Sequence, residues 1–330
     1  MSRVLTGVQS TGTPHFGNIL GAILPAIQMA NQSESESFLF IADLHSLTQI
    51  KDAEKLKENT YQTAAAWLAL GLNPEKTVFY RQSDVPQVTE LTWYLLNFFP
   101  FQRLTLAHSF KDKANRLDDV NGGLFTYPIL MAADILIYDA EIVPVGKDQM
   151  QHLEITRDVA QRFNHQMGET FVIPEGKTNE NTMYIPGTDG QKMSKSRGNF
   201  INVFLSDKAL RKQVMSIETD STPLEEPKDW SSCHVFSIYK TLASPQAIEE
   251  MKKKYEAGNY GYGHAKQELF ELIKEEFAEA REKFTSLMED KSIIDEALRL
   301  GAERANEIAD ATLNRVREKL GLNLKKNNKP

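Results

Sequence analysis

The sequence predicts an α/β fold in which a parallel β-sheet is followed by a helical region, and three observations lead to this. Short apolar runs at 3–8, 37–42, 77–80 and 141–145 have the length and composition of buried strands. Segments with apolar residues at helical spacing separate these runs, and strands that alternate with helices form parallel sheets. No convincing strand pattern follows residue 203.

The helical patterns follow one another in order along the chain. Before residue 203 they predict helices at 17–30, 52–71, 86–98, 101–114, 124–138 and 148–164. After it they predict helices at 207–217, 234–242, 261–288 and 292–319. We therefore predict an α/β domain over residues 1–203 and a helical domain over residues 204–330. This division allows the last helix to pack back on the first domain.

Length, charge and composition restrict the class of protein. The chain has 330 residues, which suggests two domains, or one with an appendage. Its net charge of -7 argues against a protein that coats nucleic acid nonspecifically. No apolar stretch approaches the ~18 residues of a membrane helix, and no signal-peptide pattern begins the chain. The single cysteine, Cys233, excludes an intrachain disulfide and a cysteine-based zinc site. We expect a cytoplasmic protein that binds neither membrane nor DNA.

The segment between the first strand and the first helix contains Thr11, His15, Gly17 and Asn18. Ligands bind at the carboxyl ends of parallel strands, and a helix N-terminus there offers free N–H groups to phosphate. His15 and Asn18, three residues apart, can project on the same side of the first turn. The spacing is not G-x-G-x-x-G, which disfavours a dehydrogenase. An N-cap loop with a surface histidine is the alternative.

A basic loop at 192–196 has the sequence Lys-Met-Ser-Lys-Ser. Its two lysines, Lys192 and Lys195, lie three residues apart with small hydroxyl residues nearby. Lysine is a compact charge with rotatable donors, so the pair suits a polyphosphate. Gly187 and Gly190 are expected to give the loop freedom to close. A solvated basic loop is the alternative.

Asp134 stands in a nearly all-apolar helical segment. A buried and unpaired carboxylate is costly, so Asp134 must reach the surface or have a donor partner. A carboxylate only accepts hydrogen bonds and an indole N–H only donates them, so a tryptophan side chain is a matching ligand. A structural salt bridge to a lysine or arginine is the alternative.

The fourth strand pattern ends at Gly146, which leads into Lys147, Asp148 and Gln149. Asp148 can accept hydrogen bonds from ribose hydroxyls, and Gln149 can orient an amino group or a carboxylate. A plain helix cap by Asp148 is the alternative.

Together these segments resemble the bacterial-type tryptophanyl-tRNA synthetases, which are class I aminoacyl-tRNA synthetases. The segment from His15 to Asn18 is similar to the HIGH signature, with Asn18 in place of the final histidine. Residues 192–196 match the KMSKS signature without change. The likeness covers nearly the whole chain. Two positions depart from it: Leu5, where relatives place an aromatic residue against the indole, and Lys147, where an acid is usual.

The resemblance implies a Rossmann-like catalytic domain that joins tryptophan to ATP and then transfers it to tRNA(Trp). It implies four catalytic residues, namely Lys192, Lys195, His15 and Asn18. For ATP binding it implies Gln9, Ser10, Thr11, Gly17, Asn18, Gly146, Lys147, Asp148, Ile185, Lys192, Met193, Ser194, Lys195 and Ser196. For tryptophan binding it implies Gly7, Met131, Asp134, Val143, Val145 and Gln149. Lys113 is a weaker phosphate candidate, for which an ordinary surface lysine is the alternative.

The resemblance also implies a homodimer and anticodon recognition by the helical domain. Mg²⁺ would be held mainly by the phosphates of ATP, so no protein metal site is expected. Two other functions stay open. A tyrosyl-tRNA synthetase is possible because a carboxylate also accepts from a phenol, although residues 145–149 favour tryptophan. A noncatalytic synthetase paralogue is disfavoured by the intact lysine loop.

Overall fold

The sheet has five parallel strands, and the predicted α/β fold is confirmed. The computed structural model describes residues 2–32, 35–105, 120–146, 149–178 and 185–323. The strands are β1 Arg3–Gln9, β2 Glu36–Ala42, β3 Thr77–Arg81, β4 Ile142–Val145 and β5 Glu175–Thr178, in the order β3-β2-β1-β4-β5. Strand β5 was not predicted. Its sequence, Glu-Gly-Lys-Thr, is polar because it forms the edge of the sheet, paired with β4.

Helices surround the sheet and then continue to the C-terminal region. Those among the strands are α1 Phe16–Asn18, α2 Leu24–Gln32, α3 Asp43–Ser46, α4 Ala53–Ala69, α5 Gln87–Leu96, α6 Phe101–Thr105, α7 Gly122–Leu136 and α8 Met150–Met167. Those after β5 are α9 Asp207–Met215, α10 His234–Tyr239, α11 Pro245–Ala257, α12 Tyr262–Glu276, α13 Ala278–Glu289 and α14 Ser292–Lys319. Within residues 185–323 no further strand follows residue 203, as predicted.

Helical segments differ from the prediction in several places. Helix α3 was not predicted, and the helix predicted at 17–30 includes a π-helical segment, Ile19–Ile23, between α1 and α2. The pattern at 261–288 forms two helices, α12 and α13, because the chain departs from helical geometry at Phe277. Helix α11 was not predicted: its surface is largely charged, and Met251 and Tyr255 are its buried residues. Of the helix predicted at 101–114, α6 is observed, and the rest lies outside the described residues.

The topology locates a crevice between β1 and β4. The chain runs outward from β1 to β2 and β3, and then crosses to the other side of β1 to form β4 and β5. In open α/β sheets, ligands bind at the carboxyl ends of the strands where the strand order reverses in this way. Here those ends are Gln9 of β1 and Val145 of β4.

Two clusters of buried apolar side chains cover the two faces of the sheet. Leu39 and Ile41 belong to one cluster, whereas Phe38 and Phe40 belong to the other, because successive side chains of a strand point to opposite faces. The first cluster continues from the α/β part into helices α9 to α13 without a break at residue 203. The two predicted domains thus share a core, and the division at residues 203 and 204 stays a prediction.

Helix α14 packs back on the sheet. Gly301 lies so close to β3 that a Cβ atom there would overlap with the carbonyl group of Phe79. The side-chain amide of Asn306 donates to the Asp84 carbonyl at 2.9 Å. Of the described helices, none is long and apolar enough to cross a membrane.

Candidate active site

His15 begins α1 at the carboxyl end of β1. Its Nδ1 accepts a hydrogen bond from the Asn18 backbone N–H at 3.1 Å, so the neutral ring carries its proton on Nε2. Burial, together with the charges of Lys195 and Lys192, lowers the pKa of His15 to about 4. The ring is therefore neutral at physiological pH and presents one donor. His15 caps the helix, but it is buried rather than a surface histidine.

The lysine loop lies against the start of α1. The Gly17 N–H donates to the Met193 sulfur at 3.3 Å, and Lys195 Nζ donates to the Thr11 carbonyl at 2.8 Å. Desolvation by burial lowers the pKa of Lys195. The structure thus brings the two predicted signature segments together and partly shields Lys195 from water.

Asn199 organises the lysine loop. Its Oδ1 accepts from the Ser194 N–H at 2.8 Å, while its Nδ2 donates to Asp189 at 2.7 Å and to the Lys192 carbonyl at 3.2 Å. Sequence reasoning assigned Asn199 no role. The available signal was a polar side chain close behind the loop and directly after a glycine, Gly198.

The two glycines before the loop are closely packed, and the freedom to close that was expected of them stays a prediction. A Cβ atom at Gly187 would overlap with Asn199, and one at Gly190 would overlap with the ring of His234. Gly190 also has φ of +75°, which favours glycine. At the loop base the Met193 N–H donates to the Ile185 carbonyl at 3.2 Å, so Ile185 adjoins the predicted nucleotide site.

The end of β1 presents both exposed and buried polar groups. Gln9, Thr11 and Asn18 are exposed there, as a nucleotide contact requires. Ser10 is fully buried, and its hydroxyl lies 2.6 Å from that of Thr60. Its side chain therefore already has a protein partner, and its ATP contact stays a prediction. The exposed Ser196 hydroxyl lies 2.9 Å from that of Ser194.

Asp134 is buried on α7 and has two polar partners. Its Oδ2 lies 2.8 Å from His45 Nε2, and Gln82 Nε2 donates to Oδ1 at 2.7 Å and to Oδ2 at 2.9 Å. Burial raises the pKa of Asp134, and the hydrogen bonds from His45 and Gln82 oppose that rise. The partners are thus a histidine and an amide, not the lysine or arginine of the alternative.

Sequence reasoning missed both partners of Asp134. Gln82 comes directly after β3, and His45 lies three residues after the end of β2. Polar residues at the carboxyl ends of two neighbouring buried strands were the signal that could have found them.

The predicted tryptophan-binding residues of β1 and β4 adjoin one apolar cluster. Val143 and Val145 belong to it, and Met131 packs against it. A Cβ atom at Gly7 would lie 2.6 Å from the Phe40 ring, so a side chain there would clash with that ring. Leu5 is buried in the same cluster, and its effect on the amino acid pocket stays a prediction.

Gln149 takes part in a chain of buried and partly buried hydrogen bonds. Its Oε1 lies 2.9 Å from His152 Nδ1, and His152 Nε2 lies 2.9 Å from the Tyr127 hydroxyl. Because an amide oxygen only accepts, His152 Nδ1 carries the proton and Tyr127 donates to Nε2. Tyr127 and His152 were not predicted.

Four predicted site residues remain. Gly146 directly follows β4, where it was predicted. Lys147, Asp148 and the weaker candidate Lys113 lie outside the described residues. Among the residues that the structure describes, no group of three or more His, Cys, Asp or Glu side chains could hold a metal ion.

Known proteins resemble this chain along most of its length. The family model for class I tRNA synthetases (W and Y) matches residues 1–278. The tryptophan–tRNA ligase of Campylobacter jejuni is 48% identical over 320 residues, which cover 97% of this chain and 100% of that protein. The tryptophan–tRNA ligase of Rhodopirellula baltica is also 48% identical, with coverage of 97% and 99%.

Solved structures agree with this similarity. The C. jejuni tryptophanyl-tRNA synthetase, complexed with ADP and tryptophan, superimposes with a TM-score of 0.94 at 48% identity, covering 97% of this chain and 100% of that one. The Mycoplasma pneumoniae tryptophanyl-tRNA synthetase superimposes with a TM-score of 0.80 at 29% identity, and the match covers 98% of each chain. The tyrosyl-tRNA synthetase of Archaeoglobus fulgidus shares the fold, with a TM-score of 0.63 at 18% identity. The match covers 86% of this chain and 90% of that one. The matched family model and the relatives of nearly equal length establish that this chain belongs to the class I tRNA synthetases of the tryptophan and tyrosine family.

Proposed function

We propose that this protein is a tryptophan–tRNA ligase, which activates tryptophan with ATP and transfers it to tRNA(Trp). The observation that carries the proposal is the contact between the lysine loop and the start of α1, made by Met193 with Gly17 and by Lys195 with Thr11. It places two lysines beside a helix N-terminus at the carboxyl end of β1, where phosphate binds favourably. The 48% identity to named tryptophan–tRNA ligases supports the choice of reaction.

In the first step, a tryptophan carboxylate oxygen attacks the α-phosphorus of ATP and pyrophosphate leaves. This nucleophile is already ionised at neutral pH, so no general base is needed and positioning and charge stabilisation carry the step. Lys192 and Lys195 offset the charge of the departing pyrophosphate. The neutral His15 can add one hydrogen bond from Nε2, because Nδ1 already accepts from Asn18. The exposed Asn18 side chain lies on the same turn.

In the second step, a ribose hydroxyl of the terminal adenosine of tRNA attacks the carbonyl carbon of the adenylate, and AMP leaves. Mg²⁺ would be held by the phosphates of ATP. The side chains that would face the phosphates, Lys192, Lys195 and His15, are cationic or neutral, and such a donor set suits phosphate rather than a protein-bound metal ion.

Lys195 has a partner that ATP can replace. Its ammonium group donates to the Thr11 carbonyl, and burial lowers its pKa. A phosphate oxygen at this place would supply the negative charge that this partly buried ammonium lacks, and would thereby stabilise its protonated form.

Asp134 supplies the choice of amino acid in this proposal. It is buried and ionisable, and its partners leave it able to accept from an indole N–H. Gly7, Met131, Val143 and Val145 would contact the ring, and Gln149 would contact the amino acid head group.

Pyrophosphate exchange with each of the twenty amino acids tests this function. We expect exchange that depends on tryptophan alone. Exchange driven by tyrosine would replace the proposal with a tyrosyl-tRNA synthetase, and no exchange with any amino acid would replace it with a noncatalytic paralogue.

Three further parts of the proposal concern partners and location. Residues 204–330 would recognise the anticodon, the protein would act in the cytoplasm, and two copies would form a homodimer. The exposed side chains of Trp93 and Phe101 support the last point, since large exposed apolar residues often lie at interfaces. Sedimentation at micromolar concentration would distinguish a dimer from a monomer.

A further inference from the structure

A glutamine that the proposed mechanism does not use, Gln82, contacts Asp134 of the proposed tryptophan site. Gln82 is fully buried in the turn Gln82–Asp84, directly after β3. Its Nε2 donates to both oxygens of Asp134, and its Oε1 accepts from the backbone N–H of His45 at 3.3 Å. These partners fix the amide orientation, because a reversed amide would place an oxygen against the carboxylate and an NH₂ group against the N–H.

Gln82 and His45 restrict the direction in which Asp134 can accept a further hydrogen bond. An ionised carboxylate has about four acceptor positions. Gln82 engages both oxygens, and His45 engages Oδ2 a second time. Rotation of the carboxyl group would break at least one of these bonds. The acceptor capacity that remains on Oδ1 therefore has a fixed direction.

The turn that carries Gln82 is itself held firmly. The Ser83 N–H and hydroxyl both donate to the buried Asp43, at 3.0 and 2.5 Å. On the other side Arg81 and Asp84 form two parallel hydrogen bonds of 2.8 Å. The Gln82 side chain thus extends from a backbone that both neighbouring residues anchor.

We propose that Gln82 is a positioning residue that aims the remaining acceptor position of Asp134 at the indole N–H. It would thereby help to set the preference for tryptophan over ring systems of the same shape that lack this donor. The inference rests on the proposed role of Asp134 as the indole acceptor. A role in folding alone would affect all ring systems equally.

The test compares tryptophan with 3-benzothienylalanine, in which sulfur replaces the indole N–H. For Gln82→Met, which keeps the side-chain length and removes the amide, we expect kcat/KM for tryptophan in pyrophosphate exchange to fall about tenfold or more. We expect kcat/KM for the sulfur analogue to change less than about twofold. Equal losses for both substrates would overturn the proposal, and so would an unchanged preference for tryptophan.

Control variants separate this inference from its premise. Gln87→Met removes another glutamine that donates to an aspartate, here Asp310 rather than Asp134, and should leave the preference unchanged. Asp134→Ala, which removes every acceptor at this position, should abolish the preference. If Asp134→Ala keeps it, the acceptor role and the inference both fail, whereas loss in Asp134→Ala but not in Gln82→Met contradicts the positioning role alone. Should Gln82→Met not fold, Gln82→Asn also withdraws the donor and faces the same criteria.

Discussion

At the scale of single residues, His15 shows how a site can fix the protonation state of a side chain. Its pKa of about 4 follows first from burial and second from two lysines, so its neutral form persists well below physiological pH. In the unfolded chain an ordinary histidine binds a proton near pH 6.5. Between these two values the unfolded state binds more protons, and stability therefore falls as pH falls from 6.5 to 4.

This difference predicts a smaller pH dependence of stability for His15→Asn. Asparagine retains an oxygen that can cap the helix, but it does not titrate. We expect the fall in melting temperature between pH 7.5 and pH 5 to be smaller in the variant than in the parent protein. His165→Asn, at an exposed position, should not reduce that fall. An identical fall in His15→Asn and the parent would mean that His15 titrates normally.

Lys195 should contribute mainly to the rate of the first step. The substitution Lys195→Ala removes a desolvated charge at the place where pyrophosphate would leave, and groups of this kind are worth about 10²- to 10³-fold in rate. We expect tryptophan-dependent pyrophosphate exchange to fall by about that factor. Lys253→Ala, on the exposed surface of α11, is the control and should retain activity. Near-normal exchange in a folded Lys195→Ala protein would exclude the proposed role.

At the scale of elements, Asn199 holds the lysine loop by hydrogen bonds with Lys192 and Ser194, and it joins the loop to Asp189 in the turn before it. The substitution Asn199→Ala removes these bonds while leaving both lysines in place. We expect KM for ATP to rise and the exchange rate to fall, together by about tenfold in kcat/KM, since three hydrogen bonds are lost. KM for tryptophan is the internal control and should change little. A parallel rise in both KM values would indicate general unfolding instead.

The elements also show which features could be predicted from sequence. The segments at His15 and the lysine loop were found because their chemistry lies in short contiguous runs. His45 and Gln82 were missed because they meet Asp134 only through the fold, across 89 and 52 residues of chain. Strand β5 escaped prediction because an edge strand buries less and needs no apolar run. The close packing at Gly187 and Gly190 was missed because the residues that pack on them are not neighbours in sequence.

At the scale of the whole molecule, α14 connects the helical region to the sheet. Its buried small residues Ala302, Ala305 and Ala309 let it approach the second apolar cluster closely. Near its end, Arg315 pairs with Asp139 and Arg317 pairs with Glu90. The helix therefore joins regions that are more than 170 residues apart in sequence.

The contact between α14 and β3 should be sensitive to any side chain introduced at Gly301. A glycine inside a helix is usually improved by alanine, by about 1 kcal/mol. At Gly301, however, the added methyl group would overlap with the Phe79 carbonyl, and overpacking of this kind costs about 1–3 kcal/mol. We expect Gly301→Ala to lower the free energy of unfolding, measured by urea denaturation. Gly263→Ala in α12 meets no neighbour within 4 Å and should leave stability unchanged or raise it. If both variants gained stability alike, α14 would not rest on β3 in solution.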